Sequence, residues 1–299
     1  MSKLENLIDE EQQRSEAWKE QKTAERNELN TLSEEAVTTT TTEPEAYLHY
    51  LDLQADNPAY SAGNVMLVAA QAPEATVFHS LEQWNKMGRS IRPQETGIRV
   101  RVSDPYMRDG RKYYGFKIDR VFDISQTVGR EIAEKLPLEE DTPQMETALR
   151  KLLRLSPVPV RTDPEAAFDA LYLPDEKAIV MSPELSDTKV FAALAREVYH
   201  ASAHANGRDG DYVREDYTLD AESAGYMLCR NFGVPCEKPD VSRLLELYAD
   251  MSPMECRDIL DGIRQSFRSM QQEIQRELLP KTKTRAEQNR SNRNRSASR

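Results

Sequence analysis

The segment from Gly97 to Ser125 restricts the fold of this chain more than any other. GIRVRVSD alternates apolar and basic residues, the period of a half-exposed strand. Arg108, Asp109 and Gly110 supply a turn, and YYGFKIDRVFDIS returns with aromatic and β-branched residues. The pattern predicts a hairpin or small sheet. Helical patterns precede it: NVMLVAAQAP, ended near Pro73, and SLEQWNKMG, stopped by Gly88. Beyond it, QMETALRKLLRL reads as a helix and PVPVRT as a short extended piece. FDALYLPDEKAIVMSP reads as two strands about a turn at Pro174 and Asp175. Three helices follow, over about 186–206, 217–232 and 241–275, the last broken near Pro253. The fold class is α+β.

With 299 residues there is room for two domains. Residues 1–44 form a polar arm, helical or disordered, closing in a threonine-rich linker from Thr38 to Thr42 before Glu43 and Pro44. Residues 45–130 make a small mixed α/β domain. Residues 140–276 make a mainly helical one with a short β-hairpin, and 277–299 are a disordered basic tail. No apolar run reaches membrane-spanning length and the N-terminus is too charged for a signal peptide. These features predict a cytoplasmic chain with no membrane partner. Cys229, Cys236 and Cys256, odd in number and without C-x-x-C spacing, read as reduced thiols.

A formal net charge of −11 argues against nucleic acid as a partner, but its distribution argues the other way. Between Lys86 and Arg120 ten basic residues face only four acids, Glu95, Asp104, Asp109 and Asp119. Tyr106, Tyr113, Tyr114 and Phe116 lie among them, with Trp84 just ahead. Basic side chains on a small sheet neutralise phosphates, and exposed aromatic rings stack on unpaired bases. The candidate DNA-binding residues are Trp84, Lys86, Arg89, Arg92, Arg99, Arg101, Arg111, Lys112, Tyr113 and Lys117. Arg99 and Arg101 must share one face of a strand. The plainer alternative puts Trp84 and Phe116 in the core and makes the arginines a solvated face. From Lys281 to Arg299, seven basic residues face one acid, which suits a polyanion or simply a solubilising end.

AREVYHASAH, residues 195–204, nearly spells the zinc-hydrolase helix H-E-x-x-H, in which two imidazoles one turn apart flank a glutamate base. Glu197 and His200 are in place, but the first histidine position holds Arg196, which has no lone pair for a metal.

These motifs resemble the ArdC-type antirestriction proteins of plasmids and conjugative elements. In the first domain the resemblance rests on Asn64, Gln71 with Pro73, Trp84, Gly88 with Arg89, Gly97, and FDISQT at 122–127. It implies single-stranded DNA binding. In the second it rests on Glu197, His200 and His204, with Ala221 and Glu222 at an Ala-Glu position that supplies a metal ligand. It implies a zincin-like metallopeptidase domain. Three readings of that site are open. Arg196 replaces the metal's charge and pairs with Glu222 or Glu197, leaving Glu197 a vestigial base. His200, His204 and Glu222 hold a metal, zinc, in a shifted frame. Or the histidines lie on the surface. The leading expectation is a sequence-independent single-stranded DNA-binding protein of a mobile element, an antirestriction protein with an inactive peptidase domain and no cofactor. The alternatives are an active metal-dependent protease and a protein-binding scaffold, with the N-terminal arm open to other proteins.

Overall fold

The structure is a computed structural model and describes residues 3–132, 137–207 and 212–279. Helix α1 (Lys3–Thr42) begins the chain. Its N-terminal half leaves Leu4, Leu7, Ile8 and Trp18 exposed. From Leu29 a helical stripe of Leu29, Ser33, Ala36, Val37, Thr40 and Thr41 turns inward and is buried. The threonine run, expected as a linker, is the last part of this helix. Its hydroxyls are satisfied within the helix: Thr40 and Thr41 donate to the Ala36 and Val37 carbonyls at 2.8 and 3.0 Å. Buried against neighbouring helices, the stripe overrides the weak helix propensity of threonine. The break falls at Glu43, after which Pro44 opens α2 (Pro44–Asp56).

Helix α3 (Ala62–Gln71) and the one-and-a-half-turn α4 (Leu81–Lys86) flank a sheet of order β1-β4-β3, formed by β1 (Phe78–Ser80), β3 (Ile98–Arg108) and β4 (Arg111–Asp123). Strand β2 (Arg89–Ile91) pairs separately with β5 (Thr127–Gly129). The β3–β4 hairpin is the one predicted, closed by two residues of positive φ, Asp109 at 51° and Gly110 at 73°. At its base Gly97 is obligatory: a Cβ there would meet Arg120 and Phe122 side-chain carbons at 2.8 Å.

The outer edge of β3 is closed by side chains. Asn64 accepts from the Arg101 N–H at 2.9 Å and donates to its carbonyl at 2.8 Å. Gln71, two turns on, does the same for Arg99 at 3.2 and 2.8 Å. Two amides at i, i+7 on α3 thus imitate a neighbouring strand and satisfy an edge that would otherwise be open.

The later part of the chain contains α5 (Pro143–Leu155), β6 (Val160–Thr162), β7 (Ala170–Leu173), β8 (Ala178–Met181), α6 (Asp187–Asn206), α7 (Arg214–Asn231), α8 (Leu244–Tyr248) and α9 (Pro253–Leu278). The expected β7–β8 hairpin forms, and the extended piece β6 joins β8 in parallel to give the order β6-β8-β7. One contiguous core joins the two regions, running from Ala36 to Ile274. Tyr47 of α2 meets Ser223 of α7 through their hydroxyls at 2.9 Å, and Asn231 donates to the Ala55 carbonyl at 2.7 Å. Among the described residues no helix is long and apolar enough to cross a membrane.

Candidate functional site

The predicted basic surface divides in two. At the far end of the hairpin, beyond Val102 on β3, the strands leave the body and both faces are solvated. Arg111, Lys112, Tyr113 and Lys117 are all exposed there. Tyr106 and Tyr113 sit opposite each other in the register and stack, centroids 5.6 Å apart with planes 16° from parallel. Tyr114 is 79% exposed, with the Lys112 ammonium 5.2 Å from its ring centroid. This is a ribbon of accessible rings and cations on a paired two-stranded backbone.

The nearer residues are largely committed elsewhere. Trp84 is 0% exposed and donates its indole N–H to the Phe122 carbonyl at 2.8 Å, so it is core and cannot stack on a base. Arg89 is tied to the Thr127 hydroxyl at 2.7 Å and the Arg130 carbonyl at 2.6 Å, holding the β2–β5 pair. Lys86 is exposed and pairs with Glu82 at 2.7 Å; Arg92 is exposed. Arg99 and Arg101 share a face as parity required, but α1 covers it. Arg99 pairs with Glu28 at 2.8 Å, and Arg101 reaches the Ser33 hydroxyl at 3.4 Å while stacking over Phe116 at 4.1 Å. The open phosphate face expected of this pair is therefore corrected to a partly covered one. Of the tail expected over 277–299, helix α9 takes in residues 277 and 278, and 280–299 lie outside the described residues.

The second site centres on Glu197 of α6, which is 0% exposed. Its carboxylate accepts the Tyr172 amide N–H at 2.8 Å, Arg196 Nε at 2.9 Å, and a two-pronged guanidinium from Arg214 at 2.8 and 2.9 Å. Burial alone would raise its pKa; the hydrogen bonds and charge of Arg214, then of Arg196, outweigh it and hold the carboxyl below its usual range. Arg196 thus pairs with Glu197. Glu222 instead accepts the Asp240 N–H at 3.0 Å, and both line a cleft of about 690 Å³ together with Arg196.

His200 is buried, not a surface residue. Tyr212 shares a hydrogen bond with its Nδ1 at 2.9 Å, while its Nε2 is buried without a hydrogen-bond partner. Burial, then the charge of Arg214, pushes its pKa down to about 4, so the ring is neutral at pH 7. His204 meets the Tyr172 hydroxyl through Nδ1 at 2.7 Å and stacks on Tyr212, centroids 4.9 Å apart. Tyr172, Tyr212 and above all Arg214 were missed by sequence reasoning. Arg214 stands 17 residues from Glu197 in no motif, and the one available signal is that a buried carboxylate needs a cation.

Comparison with known proteins agrees with this architecture. The family model of the N-terminal domain of anti-restriction factor ArdC matches residues 31–142. The fold is similar to the Mn(II)-bound crystal structure of antirestriction protein ArdC from plasmid R388, with TM-score 0.51 and 20% identity over 84% of this chain and 99% of that one. The metal-free structure of the same protein gives TM-score 0.49 and 20% identity over 74% and 85%. No curated protein matches the chain. Arg196, at the first ligand position of the helix motif, offers no lone pair to a metal ion. Among the described residues no three His, Cys, Asp or Glu side chains are grouped so as to hold a metal ion. The His200 Nε2 is buried without a hydrogen-bond partner, and the charges of Arg214 and Arg196 both act on the ring.

Proposed function

We propose that this chain, whose residues 31–142 match the ArdC N-terminal domain model and whose fold is similar to that of ArdC, is an antirestriction-type protein that binds single-stranded DNA without sequence preference. The observation that carries this is the solvated end of the β3–β4 hairpin, where Tyr106, Tyr113 and Tyr114 stand among Arg111, Lys112 and Lys117. Rings accept the faces of any base and cations neutralise the backbone, a combination suited to unpaired strands. The mobile-element role is proposed by analogy with the plasmid protein of similar fold.

The second region, in this reading, is a zincin-like domain without hydrolysis. A general base must be free to take a proton from water, and a metal must polarise that water. Glu197 has both oxygens engaged by arginines, and Arg196 stands at the first ligand position. The two guanidinium groups supply the positive charge that the buried carboxylate requires. The active-protease reading has no such support. Docking of other proteins on the N-terminal half of α1 stays a secondary proposal, resting on its exposed Leu4, Leu7, Ile8 and Trp18.

The test is anisotropy of a labelled oligothymidylate titrated with the full chain at rising salt. Binding at low salt that weakens steeply as salt rises is expected, because each neutralised phosphate releases counterions. No binding at low salt would overturn the reading.

A further inference from the structure

A pocket of about 280 Å³ lies where α1, α3, β3 and α9 meet, away from the ribbon and from Glu197. Ser33, Ser61, Gly63, Arg101, Arg257 and Asp261 line it, with Asn64 and Asp258. Two guanidinium groups come together here with little to bind. Arg101 has one long contact, 3.4 Å to Ser33, besides its stack on Phe116. Arg257 lies 3.9 Å from Asp258, too far for a hydrogen bond, and makes none among the described residues. Burial and the charge of Arg257 both disfavour the charged form of Arg101.

The carboxylates nearby do not resolve this: the charge of Glu34 favours Arg101 less than burial and Arg257 disfavour it, and Glu34 makes no hydrogen bond to it. Asp261 is occupied by Arg264 at 2.9 Å, by the Ala62 N–H at 3.0 Å and by Gln265 at 3.0 Å. Asp258 has a side chain 72% exposed and points its charge into water. Two features of the sequence hold the arginines in place. Asn64 clasps the main chain of Arg101, fixing where β3 presents it. Gly63 lets the stem of Arg257 cross α3, since a Cβ there would lie 3.0 Å from Arg257 Cδ.

The geometry points to an oxyanion site of the phosphoryl class, in which one phosphate group bridges Arg101 and Arg257 and accepts from the Ser33 and Ser61 hydroxyls. Paired guanidinium forks match the oxygen spacing of a phosphate, and each supplies donors now unused. The group is either a phosphodiester of the bound strand or a free phosphate. Arg101 lies five residues along β3 from Tyr106, roughly 17 Å at the antiparallel rise, within reach of a strand laid on the ribbon. The site stands on the arginine pair alone, and deepens the single-strand reading when DNA supplies the phosphate.

The experiment uses the full chain, wild type, Arg257→Gln, Arg101→Gln and Arg257→Lys, with two probes. Inorganic phosphate is compared with chloride at equal ionic strength by thermal melting, and oligothymidylate is titrated across salt. Phosphate should raise the Tm of wild type and not of either Gln variant, with Arg257→Lys between them. If the strand supplies the group, Arg257→Gln also weakens oligothymidylate several-fold and lowers the salt slope by about one. An unchanged DNA slope with a lost phosphate shift assigns the pocket to a free phosphate. A phosphate shift in a wild type that binds no DNA keeps the pocket and removes the single-strand function. Equal Tm shifts in wild type and both Gln variants, or no shift in wild type with an unchanged DNA slope, overturn the site.

Discussion

Replacing Arg214 by Ala probes the centre of the second region. The change removes two of the four hydrogen bonds that Glu197 accepts, and the nearer of its two charge partners in effect. The carboxylate stays buried because Tyr172, Arg196 and the body of α6 still enclose it. Breaking a buried pair by removing one partner costs about 3–5 kcal/mol. The Arg214 side chain is itself 28% exposed, so water can enter the gap and the lower end, about 3 kcal/mol, is expected. Arg196, 33% exposed and holding Glu197 through one nitrogen, should cost about 1 kcal/mol on truncation. Urea unfolding at pH 7 gives both numbers. Combining Arg214→Ala with Glu197→Gln should recover part of the loss, since the stranded charge is then gone. If Arg214→Ala unfolds like wild type, or if Arg196→Ala costs more than Arg214→Ala, the carboxylate is not held as described.

Other consequences are smaller in scope. Arg196→His should not acquire zinc, because Glu222, the third ligand such a helix needs, is held by the Asp240 N–H; elemental analysis showing one equivalent of metal would contradict this. His200 is depressed from 6.5 to about 4 by burial, so its neutral ring stabilises the fold above pH 6.5. That contribution fades as pH falls through the window to 4, by about 3 kcal/mol in all, and the gap between wild type and His200→Gln should narrow over that range. Trp84→Ala should cost about 3–5 kcal/mol of stability, as removal of a core aromatic does, and leave any folded fraction with unchanged DNA affinity. Tyr114→Ala should weaken single-strand binding by about 1–3 kcal/mol without lowering Tm by more than a few degrees.

Much of this was legible in the sequence where local rules act alone. The hairpin followed from alternation and a Asp-Gly turn, and the helix ends at Pro73, Gly88 and Pro253 fell close to their places. What escaped depends on distant partners. The threonine run looked like a linker by composition, although Leu29, Ser33, Val37 and Thr40 carry a helical repeat whose meaning appears once α2, α3 and α9 pack on it. Parity placed Arg99 and Arg101 on one face, but only the folded position of α1 reveals that Glu28 and Ser33 cover that face. Asn64 and Gln71 belonged to the resemblance from the start, and their spacing becomes intelligible as an edge clasp on β3. Arg214 lies beyond any spacing rule, because a charge partner is chosen by space and not by sequence.

The claim that the ribbon is the DNA surface is tested most directly by photocrosslinking. An oligothymidylate carrying 5-iododeoxyuridine would be irradiated with the full chain, and the attached peptides mapped by mass spectrometry. The account predicts adducts on Tyr106, Tyr113 or Tyr114, lost when salt is raised enough to release the strand. Adducts confined to α6–α9, with none between Tyr106 and Lys117, would contradict it.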